Sequence, residues 1–111
     1  MNMRKDMSPE ALQMVAELFR VLSEAIRLRL LNLLRDGEMS VTELTQACRA
    51  SQPNISKHLK ILTEAGILRR DQRGNIVYYA IADKSIYQLC DRVCDSIGEN
   101  LKAKVKLFAT V

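Results

Sequence analysis

Residues 51–66 read SQPNISKHLKILTEAG. Ser51 is a good helix N-cap, Pro53 fits the first turn, and Gly66 is a good stop. At 3.6 residues per turn, Ile55, Leu59 and Leu62 share one side. Lys57 lies nearly opposite, flanked by Asn54, Ser56 and Lys60. His58 falls between the faces, where it would either contact phosphate or pack beside the preceding helix. A helix with one buried side and hydrogen-bonding residues in its first two turns has two readings. One is an ordinary solvated face. The other is a recognition helix, whose N-terminal half reaches base edges in the major groove. Gln and Asn pair bidentately with adenine, Ser bonds several bases, and Lys reads guanine or phosphate.

The flanking sequence separates these readings. Ser40-Val41-Thr42-Glu43 is a capping box opening a short helix with Leu44 and Ala47 inward. Arg49-Ala50 break it just before Ser51. Two short helices so joined make a helix-turn-helix, over about residues 40–65. After Gly66 the period changes: 67–70 and 76–81 are β-rich, with Gly74 and Asn75 suited to a hairpin turn. A ribbon over about 67–81 behind a helix-turn-helix is a wing. Arg69, Arg70 and Arg73 sit on or near it, with Arg73 beside the tip, and Tyr79 lies on its second strand. Basic side chains there would lie along phosphates or enter a narrow minor groove.

Upstream, Ser8-Pro9-Glu10 starts a helix with Leu12, Val15, Ala16, Phe19 and Leu22 at helical spacing. A second helix, apolar around much of its circumference, is expected to be the most buried and to end in a left-handed cap at Gly37. Downstream, Asp83 is expected to cap a long helix, about 83–108. Its apolar stripe is Ile86, Leu89, Cys90, Val93, Ile97, Leu101, Val105 and Phe108. A stripe that outruns a compact core needs a partner, and a second copy is the simplest one. The expected fold is thus mainly α with a small β-hairpin, a single winged helix-turn-helix domain over 1–111.

Charge agrees with a polyanion partner. The net charge is +4 over 111 residues. Residues 49–79 alone carry six basic side chains against two acidic ones. An apolar run long enough to span a membrane and a secretory h-region are both lacking, so a cytoplasmic protein is expected. Three cysteines, an odd number, argue against a disulfide framework. One histidine and no glycine-rich phosphate loop argue against an enzyme. A winged helix used only to dock proteins is the alternative, and the concentrated basic segment opposes it.

The runs LFRVLSEAIRLRLLNLLRDGEMSVTELTQA (18–47), SQPNISKHLKILTEAGIL (51–68) and RGNIVYYAI (73–81) resemble the ArsR/SmtB family of bacterial winged-helix repressors. The resemblance implies a homodimer built from the first and last helices. It also implies a palindromic double-stranded DNA operator, released when an effector binds. In many relatives the effector is a metal or metalloid ion. The DNA-binding set it supports is Gln52, Asn54, Ser56, Lys57, His58, Lys60, Arg70, Arg73 and Tyr79. The family's metal positions are altered. Ser40 and Thr42 stand where one site has a cysteine pair, and Asp83, Ser85, Ser96 and Glu99 stand where another has two histidines. Cys90 and Cys94 remain, spaced i,i+4 on one helix side. They would either hold a soft ion such as As(III) with a further ligand, sense oxidation or persulfidation, or simply pack. Cys48 is expected to pack.

Overall fold

The computed structural model describes residues 5–109, with the backbone alone for 107–109. The Phe108 side chain, assigned to the stripe, therefore lies outside the described residues. The order is α1 (Pro9–Val21), α2 (Ala25–Leu33), a 3-10 turn (Leu34–Asp36), β1 (Met39–Ser40), α3 (Val41–Cys48), α4 (Gln52–Glu64), β2 (Leu68–Arg73), β3 (Ile76–Ile81) and α5 (Ile86–Ala109). No described helix is long and apolar enough to cross a membrane.

Local chemistry sets most boundaries. The Ser8 hydroxyl accepts from the Ala11 N–H at 3.1 Å, starting α1. Ser40 and Glu43 form both arms of a capping box at 3.1 and 3.0 Å, fixing the start of α3. Ser51 Oγ accepts from Asn54 N at 3.4 Å, starting α4. At its far end the Ile67 N–H donates to Leu62 O and the Gly66 N–H to Thr63 O. That pair is a Schellman cap, and it requires the +80° φ of Gly66. Arg49 ends α3 in the left-handed conformation, φ +52°, and so sets the angle between α3 and α4.

The core is one cluster. Leu30, Leu31 and Leu34 meet Leu44 of α3 and Ile55, Leu59 and Leu62 of α4, all essentially solvent-free. Leu68, Tyr79 and Ile86 close it from the wing side and from the start of α5. The helix-turn-helix is braced from α2, where Arg29 Nη2 donates to Ala47 O at 2.8 Å.

Several expectations shift. The second helix buries Leu30 and Leu31 but leaves Leu28 exposed, so its burial is one-sided. It tightens into the 3-10 turn, and Gly37 takes φ +139° and ψ 178°, not the left-handed cap expected. The ribbon is the larger part of a three-stranded antiparallel sheet of order β1-β3-β2. β1 escaped the sequence reading because a two-residue strand carries no periodic signal. The loop of the hairpin is only Gly74-Asn75, since β2 runs on to Arg73. Gly74 alone has positive φ (+63°). Asp83 does not cap α5 directly. Its carboxylate accepts from the Ser85 N–H and hydroxyl, forming a turn ahead of Ile86.

α1 has no buried residue, and α5 leaves the body after its first turns. The radius of gyration is 17.3 Å, against about 13 Å for a compact chain near this length. Phe19, Val93, Ile97, Leu101 and Val105 are all exposed, so both helices carry apolar surface that the described chain does not cover.

Candidate nucleic-acid interface

The core side of α4 determines what its other side presents. Ile55, Leu59 and Leu62 are sunk into the cluster, which leaves Gln52, Asn54, Lys57 and Lys60 exposed and Ser56 half-buried. Between α4 and the wing runs an open cleft of about 690 Å³. Gln52, Ser56 and Lys60 line it from α4, Ser40 and Thr42 from the start of α3, and Arg70 from the wing. Lys57 makes no ion pair with any described residue, whereas Lys60 lies 3.9 Å from Glu64 one turn on.

Strand alternation sorts the wing side chains. Arg70 pairs across the ladder with Tyr79 and Gln72 with Val77, and Arg70, Val77 and Tyr79 line the cleft. Asp71 pairs with Tyr78 and Arg73 with Ile76, on the opposite face, although Ile76, next to the tip, also borders the cleft. Arg73, expected at DNA beside the tip, is turned onto that outer face. There it is bound to Glu38 at 2.6 Å and Asp71 at 3.4 Å. Tyr79 is 7% exposed and belongs to the core, so its ring is not offered to a base.

His58 packs inward. It is 6% exposed, and its Nδ1 accepts from Arg27 Nε at 3.1 Å. The same guanidinium donates through Nη1 to Val21 O at 3.1 Å. The imidazole thus ties α4 to α2 and the end of α1, with its Nδ1 already occupied. Sequence spacing left His58 on a boundary; its partner stands 31 positions away. Arg27 is the residue that sequence reading missed, because an arginine in a mostly apolar helix looks like a solvated charge.

Burial, then the positive charges of Arg27 and Lys57, hold His58 below the ordinary imidazole pKa, with Glu24 opposing. The unfolded chain therefore takes up this proton first as pH falls. The contribution of His58 is complete above about pH 6.5 and is lost as pH drops through the lowered folded value. Urea midpoints at pH 7.5 and 5.5 should show this acid loss in the parent chain. The loss should shrink in His58→Asn, whose carbonyl can still accept from Arg27. An identical drop in both proteins would remove His58 as its source.

On α5, Cys90 is half-buried and Cys94 exposed. They line a second groove of about 660 Å³ with Phe19, Leu28, Tyr87 and Ile97. Burial, then Cys94 and Asp91, push the Cys90 thiol pKa up, and Arg35 opposes. Arg35 itself is paired with Asp91 at 2.8 Å and stacked 4.3 Å over Tyr87. No group of three or more His, Cys, Asp or Glu side chains suited to a metal occurs among the described residues. Cys90 and Cys94 supply two thiol donors from one chain, fewer than the four ligands of a closed structural zinc site.

Comparison with known proteins agrees with this geometry. The profile of the bacterial regulatory protein arsR family matches residues 24–70, from the start of α2 into the first strand of the wing. A transcriptional repressor SmtB homolog of Synechocystis is 33% identical over 94 residues, covering 85% of this chain and 71% of that protein. The chain belongs to the ArsR family. As an ArsR-family member it is a winged-helix DNA-binding regulator and not an enzyme. It spans 64% to 71% of the SmtB-type repressors it matches. The homodimeric winged helix-turn-helix DNA-binding domain of Mycobacterium bovis Mb0332 superposes with a TM-score of 0.76 at 28% identity, covering 91% of this ArsR-family chain and 94% of that one. The AntR antimony-specific transcriptional repressor gives 0.77 at 31% identity, covering 89% and 90%.

Proposed function

We propose that the protein is a homodimeric repressor that inserts the first two turns of α4 into the major groove of a palindromic operator. The observation that carries this is the exposed polar face of α4 beside the cleft that Lys60 and Arg70 line. Gln52, Asn54 and Ser56 face bases, Lys57 faces a base or phosphate, and Lys60 and Arg70 follow the backbone. Two-fold symmetry spaces the half-sites by about one or two helical turns. The homodimer is supported by the uncovered apolar surfaces of α1 and α5 and by the homodimeric relative.

The test is a salt titration on DNA from the protein's own promoter. Lys57→Ala is expected to lower affinity and to reduce the slope of log K against log salt by about one per site. Because Lys57 packs against nothing, stability should stay within about 0.5 kcal/mol. Unchanged affinity and slope would exclude this face.

The effector acts, in this reading, where α5 meets α1 and α2, by favouring a dimer geometry that no longer fits the operator. Cys90 and Cys94 are thiols that line the groove at that seam. The two thiols would take up a soft ion, with a further ligand from the second chain, or be oxidised. Cys90→Ser with Cys94→Ser is expected to keep DNA binding and to lose release by arsenite, cadmium or oxidant. Release that survives the double substitution would leave both cysteines with packing alone.

A further inference from the structure

Arg73 is the wing cation that the cleft does not use, and its surroundings are specific. It starts from β2 at one edge of the sheet and reaches Glu38, which precedes β1 at the other edge. Its side chain therefore crosses the central strand, with the guanidinium carbon 3.8 Å above the Tyr78 ring. Nη2 meets Glu38 at 2.6 Å and Nε meets Asp71 at 3.4 Å. A planar cation stacked on an aromatic face and held by two carboxylates is far less free than a lone surface pair. The backbone contact it supplements is slight, since β1 pairs with β3 only at Met39–Tyr79 and Ser40–Tyr78.

We propose that Arg73 and Glu38 form a brace across the outer face of the sheet, positioning the hairpin so that Arg70, on the inner face, is held toward the DNA backbone in the cleft. Arg73 is thus a positioning residue, and Glu38, an acid outside the helix-turn-helix, supports affinity for a polyanion. This rests on the DNA-binding reading of α4. The physical ground is orientation. Asp71 and Glu38 already hold the Arg73 guanidinium, whereas among the described residues Arg70 has only the neutral Gln72 oxygen, at 3.2 Å. An arginine held by a neutral amide exchanges it for a phosphate more readily than one held by two carboxylates.

The experiment is a double-mutant cycle on operator affinity with Glu38→Gln and Arg73→Gln, each also titrated with salt, and Arg70→Gln alongside. Each brace variant should weaken binding about threefold to tenfold, with the double variant no weaker than either alone. Arg73→Gln should leave the salt slope unchanged, while Arg70→Gln reduces it by about one. A reduced slope in Arg73→Gln would make Arg73 a phosphate contact and overturn the brace. Tighter binding by Glu38→Gln would do the same, by showing that Glu38 merely screens Arg73. Hydrogen exchange reads the brace without DNA: amides of β2 and β3 should exchange faster, and equally so, in the two variants. If exchange is unchanged the brace is excluded, whatever the DNA result. If exchange quickens but neither the parent protein nor any variant binds promoter DNA, the DNA reading has failed, and with it the proposed role of the brace in DNA binding.

Discussion

Ile97→Glu is expected to turn the dimer into a folded monomer and to weaken operator binding by about a hundredfold to ten-thousandfold. Ile97 is 54% exposed, one turn from Val93 and another from Leu101, on the stretch of α5 that leaves the body. Phe19 of α1, 52% exposed, lines the same groove as Ile97. A carboxylate placed in that surface would be buried without a partner on association, which costs several kcal/mol. In the monomer the same side chain stays in water, so the fold should survive. Operator affinity falls so far because a dimer engages its second half-site at high effective concentration, and a monomer loses that gain. Sedimentation and fluorescence anisotropy on the same samples check both halves. A variant that remains dimeric with parental affinity would refute the assigned interface.

Leu59→Ala should cost about 2–5 kcal/mol of stability. Leu59 is fully buried among Leu30, Leu44, Ile55 and Leu62, where α2, α3 and α4 meet. Removing its branch leaves a cavity among three packed helices. Domain stabilities run at about 5–15 kcal/mol, so the loss is a large part of the total. Urea unfolding measures it. Lys60→Ala, one residue along on the exposed side, is the control and should change stability by less than about 0.5 kcal/mol. A loss under about 1 kcal/mol for Leu59→Ala would mean that α4 does not sit on this core.

Much of the architecture could be read residue by residue. Serine caps, the capping box and the Gly66 stop are local bonds that span three to five positions, so spacing alone reveals them. The buried side of α4 follows from its period, and its polar side follows by difference. The alternation of β2 and β3 was visible too, yet which alternate set faces α4 was not. That depends on how the sheet packs, and it set Arg70 in the cleft and Arg73 against Glu38.

The sequence by itself determined the helix-turn-helix, the hairpin behind it, the concentration of positive charge on both, and an apolar α5 too long for its own core. The tertiary structure alone decided where boundary residues point. His58 is tied to Arg27 by a bond that is 31 positions long in sequence, and Arg73 to Glu38 by one of 35. Tyr79 went to the core because it lies on the side of the sheet that it shares with buried Leu68. The physical reason is the same in each case. A helix or strand period tells which residues share a side, but a side chain on the boundary settles by desolvation and by the nearest partner, and distant segments supply both.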